Sequence, residues 1–88
     1  MSDSAATRVS SLTIRDLRRG ETAIVTGFAG IDGQMERELR EIGFSEQDEV
    51  EGMAFGAFGR TPISVRLNRT IIALRGSEAK LIEVERRK

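Results

Sequence analysis

Read by spacing alone, the apolar positions of this chain fall mostly in twos and only once in threes and fours. The exception is Gln34 to Phe44, where Met35, Leu39 and Ile42 stand at i, i+4 and i+7. That spacing predicts one amphipathic helix, with Glu36, Arg37, Glu38, Arg40 and Glu41 on its wet side. Asp32 is the candidate N-cap, Gly43 supplies a left-handed stop, and Phe44 is placed to fold back onto the last turn.

The rest reads as short strands. Thr22–Phe28 is rich in β-branched residues, but Ala23 and Val25 compete with Ile24 and Phe28 for the inside, and Gly27 marks a bulge that would let both sets in. Glu49–Phe55 is a second strand. Pro62–Leu67 alternates cleanly, with Ile63, Val65 and Leu67 on one face and Pro62 opening the strand. Asn68-Arg69 suits a two-residue hairpin turn, returning through Thr70–Arg75 with Ile72 and Leu74 inward. Leu81–Glu85 is a fifth strand with Ile82 and Val84 inward. Thr13-Ile14-Arg15-Asp16-Leu17 carries a capping pattern for about one helical turn, and Gly76–Lys80 a second turn with Ser77 as cap. About five short strands, one helix after the first strand and a short N-terminal helical turn predict a mainly β fold, a small SH3-like barrel. An OB-type barrel has the same periodicity, and the short strands favour the former. Residues 1–10 read as a tail, 11–85 as one domain and 86–88 as a basic, frayed end.

Composition narrows the chemistry. The 88 residues include no Cys and no His, which removes disulfides, thiolate sites and the usual nucleophile–base pairs. No enzymatic activity, no resident cofactor and no tight metal site is expected. Glu36, Glu41, Glu46, Asp48, Glu49 and Glu51 form the only plausible metal cluster, suited to weak binding of a hard cation. Gly27, Gly30 and Gly33 lack the lysine and the strand–loop–helix context of a phosphate-binding loop.

Lys plus Arg and Asp plus Glu both number 14, for a net charge of zero, and the sign is unevenly placed. Glu36–Glu51 holds seven acids against two bases, a net of −5; Arg60–Lys80 holds five bases against one acid, a net of +4. Opposite poles suit oriented docking on a protein better than phosphate tracking, unless the two segments lie side by side and cancel. Residues 11–85 alone carry ten bases and thirteen acids, and that balance counts against a nucleic-acid partner. With no apolar leader and no run long enough to span a membrane, the expected location is cytoplasmic, with the membrane reached only through a partner. Phe55 and Phe58, on or near a glycine-rich loop, and Arg66, Arg69 and Arg75, on the hairpin, are the candidate protein-binding residues. The bland alternatives are aromatic lids over the barrel end and an ordinary solvated face. Exposed strand edges also permit weak self-association.

Thr-Ile-Arg-Asp-Leu, Gly20-Glu21, the Ala-Ile-Val-Thr-Gly-Phe strand, Arg-Glu-Leu-Arg-Glu-Ile-Gly-Phe on the helix, Asp-Glu-Val-Glu, the Ile-Ser-Val-Arg-Leu/Ile-Ile-Ala-Leu-Arg hairpin and the closing Ala-Lys-Leu-Ile-Glu-Val occur here in that order. Together they resemble the FeoA family, small proteins of ferrous iron transport, over about residues 11 to 85. The loop Ala57-Phe58-Gly59-Arg60-Thr61-Pro62 departs from the family's usual pattern in length and in its first proline. The resemblance implies an SH3-like barrel, a cytoplasmic location and a role beside FeoB, the membrane permease with a GTP-binding domain. The same module also resembles the C-terminal domain of metal-dependent regulators of the diphtheria-toxin-repressor type. The alternative function is therefore a metal-responsive module binding a divalent ion or a transcription regulator.

Overall fold

The computed structural model describes residues 12–30, 33–57 and 60–87. Its elements are β1 (Leu12–Thr13), a 3-10 turn (Ile14–Asp16), β2 (Thr22–Phe28), α1 (Gly33–Ile42), β3 (Glu49–Gly56), β4 (Arg60–Leu67), β5 (Thr70–Leu74), α2 (Gly76–Ala79) and β6 (Ile82–Arg86). The strands form one antiparallel sheet in the order β1-β6-β2-β3-β4-β5. Each consecutive strand from β2 to β5 pairs with the next; short turns join β3 to β4 and β4 to β5, the segment carrying α1 joins β2 to β3, and the first and last strands close the sheet from the other side.

The sheet bends where its ladders slip. One register shift falls between Val25 and Gly27 against β6, another between Gly52 and Ala54 against β4. Each extra residue bends its strand and resets which face follows. The bulge in β2 answers its facing question: Ala23 and Val25 are fully buried, and beyond Gly27 the half-buried Phe28 packs against the same core. In β3 the slip turns Phe55 inward, opposite Ile63. Gly52 has the backbone carbonyl of Arg18 only 2.7 Å from where a Cβ would stand, so only glycine lets the first loop lie against β3.

The core joins Ile14, Leu17, Leu39, Phe44, Ile63, Val65, Leu67, Leu74, Ile82 and Val84 to the inner faces of β2 and β3. Among the described residues no polar or charged side chain is buried. The segments between strands are polar, and four of them are pinned in one way: a carboxylate accepts from a backbone N–H three residues earlier. Asp16 takes Thr13 at 2.9 Å, Glu21 takes Arg18 at 2.8 Å, Asp48 takes Ser45 at 3.1 Å and Glu78 takes Arg75 at 2.8 Å. Each satisfies a donor that no ladder reaches.

Several expectations change. A sixth strand, β1, is added beside β6, pairing Leu12 with Val84; two residues are too few to show a period. Ile42 is 47 % exposed, although it continues the stripe of Met35 and Leu39. The helix ends there, and Phe44 takes the buried place instead. Gly43 (φ +133) donates to Arg40 O at 3.1 Å, and Phe44 donates to Leu39 O at 3.2 Å, a Schellman-type close that drives Phe44 into the core. Arg75, not Ser77, stands at the N-cap position of α2, and its backbone N–H donates to the Glu78 carboxylate. Pro62 is not the first residue of its strand, because β4 begins at Arg60. The C-terminal end is not frayed at Arg86 and Arg87: Arg86 lies in β6 and pairs with Glu21, and the Arg87 N–H donates to Thr22 O at 3.0 Å. The proposed N-cap Asp32 lies outside the described residues.

Candidate functional site

The β4–β5 hairpin carries three of the five residues singled out in the sequence. Two-residue turns need positive φ, which Asn68 provides at φ +59. Leu67 faces Thr70 across the turn, followed by Arg66↔Ile71, Val65↔Ile72, Ser64↔Ala73 and Ile63↔Leu74. Val65, Ile63 and Leu74 enter the core with Ile72 half-buried beside them, so Arg66, Ser64, Ile71 and Ala73 line the outer face.

The three arginines are not equivalent. Arg66 lies opposite Glu51 on β3, with Nη1 at 3.7 Å from its carboxylate. It also lines a shallow groove of about 260 Å³ with Thr22, Glu49, Glu51 and Asn68. The groove is small for a ligand pocket, and its polar walls carry both signs. Arg69 at the turn tip and Arg75 at the far end of β5 are exposed, and neither enters an ion pair among the described residues. Between them Ile71 is 60 % exposed. Sequence reasoning did not single Ile71 out, although the alternation that sends Ile72 and Leu74 inward already sends it outward.

Phe55 is half-buried and packs against the core, with its ring lying over Gly52, as a lid would. Phe58 lies outside the described residues. The aromatic loop and the arginine hairpin meet through β4, where Phe55 pairs with Ile63 and Gly56 with Arg60.

The acidic pole is largely spent at home. Arg40 is held by Glu46 through two hydrogen bonds of 3.0 and 2.7 Å and by Glu36 at 2.9 Å, and its guanidinium sits 4.5 Å from the Phe28 ring centroid. This fork holds the Glu46 carboxyl down at about 2 and keeps Arg40 above its usual range. Hydrogen bonding from the Arg18 N–H, helped by Arg86, lowers Glu21 as well. Asp48 accepts from Ser45, Glu49 lies 3.7 Å from Arg87, and Glu51 faces Arg66. Among the described residues no three acids converge to hold a metal ion, and no helix is long and apolar enough to cross a membrane.

A model of the FeoA domain matches residues 12–86. The chain belongs to the FeoA family. FeoA proteins are small SH3-like accessory proteins linked to ferrous iron transport and are not a known enzyme family. This FeoA chain is 34 % identical to FeoA from Stenotrophomonas maltophilia, solved with zinc and described as a prokaryotic SH3-domain protein. The TM-score is 0.74, covering 84 % of this chain and 89 % of that one. Iron(II) transport protein A from Clostridium thermocellum is 29 % identical, with a TM-score of 0.77 and coverage of 85 % and 45 %. A manganese-dependent transcriptional repressor in complex with manganese shares the module at 25 % identity and a TM-score of 0.79. The FeoA chain covers 89 % of its own length there and 37 % of the repressor. A search of curated proteins finds no match. The six-stranded sheet is thus an SH3-like FeoA fold.

Proposed function

We propose that this chain is a cytoplasmic, non-enzymatic accessory protein of ferrous iron uptake that docks on FeoB and alters its GTPase cycle or the opening of its pore. One observation carries the docking part: the Arg69 and Arg75 side chains stand exposed and enter no ion pair among the described residues, while Arg40 at the acidic pole is consumed internally. A rigid barrel presenting unspent guanidinium groups beside an exposed isoleucine suits a protein surface that supplies carboxylates. Arg66, already shared with Glu51, and Phe55, already packed, serve as the edge of that contact; Phe58 is assigned to it from the sequence.

The test is titration with the soluble cytosolic domain of FeoB, with and without a GTP analogue. Nucleotide-dependent binding is expected, weakened about tenfold by Arg69→Glu, the size of one charge-assisted contact. No binding in either nucleotide state would overturn the reading.

A second reading has its own support. The zinc-bound FeoA and the manganese-dependent repressor share the fold, which favours a metal-responsive module. Stoichiometric binding of Fe²⁺ or Mn²⁺ with a change in amide spectra would select that reading.

A further inference from the structure

We propose that the open edge of β5 is a strand-addition site for an extended segment with an apolar centre and an acidic residue at each end. The proposal rests on the accessory-protein reading and deepens it by naming the main-chain contact. Among the described residues β5 pairs only with β4 and ends the sheet. Its register decides which backbone groups are free. Leu67 and Thr70 close a two-residue turn, the hydrogen-bonded position of such a hairpin, so Val65↔Ile72 and Ile63↔Leu74 also exchange bonds. Ile71 and Ala73 occupy the alternate positions, and their N–H and C=O groups point away from β4.

The same two residues present side chains on the outer face beside Ser64, and Ile71 is 60 % exposed. An unshielded edge with an exposed β-branched residue is a template for another strand. Natural edges are blunted by charge, and here the charge sits at the two ends. Arg69 and Arg75 are six residues apart, about 20 Å along a strand, and neither side chain enters an ion pair among the described residues, although the Arg75 N–H donates to Glu78.

That spacing chooses the occupant. Self-pairing would bring two basic hairpins together, and the fully overlapping register would set Arg69 against Arg75 of the second copy. A foreign strand with acids six residues apart places a carboxylate at each guanidinium in either direction.

The probe is the capped heptapeptide Glu-Thr-Val-Thr-Val-Thr-Glu, titrated into the ¹⁵N-labelled full chain, with Lys in place of both Glu as control. The expected result is shifts and slowed exchange at the Ile71 and Ala73 amides. Binding should be at least about tenfold tighter for the acidic peptide and should weaken with salt. Ala73→Pro removes an outward N–H without touching the β4 ladder and should abolish binding. Arg69→Glu, at the turn tip, should weaken it about tenfold whether or not the proline variant folds well. Equal binding of the two peptides, shifts confined to other residues, or protection of these amides by rising protein concentration alone would each overturn the proposal. FeoB binding that leaves both amides unprotected would overturn it while keeping the accessory reading; peptide capture without FeoB binding would do the reverse.

Discussion

The α1–turn region and the β4–β5 hairpin are both heavily charged, and they use that charge in opposite ways. Around α1 the net negative run is drawn inward onto Arg40, which bridges Glu36, Glu46 and the Phe28 face. On the hairpin, among the described side chains, Arg66 alone enters an ion pair, and the guanidinium groups of Arg69 and Arg75 stand exposed to solvent. A charge run in the sequence therefore does not measure charge available for binding. The helix can fold its acids against an arginine four or six residues away. A two-stranded hairpin with an open edge has a neighbour on one side only.

The largest expected effect tests whether α1 is held by burial or by these ion pairs. Phe44→Ala removes a ring that is 1 % exposed at the helix close and should cost about 3–5 kcal/mol in urea denaturation. If Arg40→Gln costs as much, the ion cluster rather than the core anchors the helix. Gly56→Ala comes next, because its Cβ would stand 1.9 Å from the Thr61 carbonyl oxygen. A loss of about 1–3 kcal/mol is expected, read as a lower denaturation midpoint, with the hairpin amides exchanging faster.

Smaller effects separate the two charged regions. Arg40→Gln should destabilise less than either change above, and less at high salt than at low. Glu46 titrates at about 2 in the fold against 4.5 unperturbed. Its contribution is therefore complete above pH 4.5 and is lost as pH falls toward 2. Arg40→Gln should flatten that part of an acid-unfolding profile. Arg69→Glu should leave stability within about 0.5 kcal/mol; a larger loss in thermal denaturation would mean that its charge is spent inside the fold after all.

Much of this was legible in the chain. Alternation fixed Ile63, Val65, Leu67 and Leu74 as inward, Asn68 marked the turn, and Gly27 marked the bulge, because each depends on neighbours two or three residues away. The pinning of Thr13 by Asp16 was legible for the same reason. The candidate site was legible only in part. Arg69 and Arg75 were named, but Arg66 was named beside them with nothing to show that Glu51 would face it. Ile71 was implied by the alternation and not weighed, and Phe55 turned inward through a slip in β3 that no local pattern announced.

What the sequence by itself determined is the element order, the inward face of most strands and the two charged poles, since periodicity and turn chemistry are local. The tertiary structure alone decided which charges cancel, which strand is left at the sheet edge and that Phe44 replaces Ile42 in the core. Those outcomes depend on pairing between residues far apart in the chain, where register and bulges, rather than propensity, choose the neighbour.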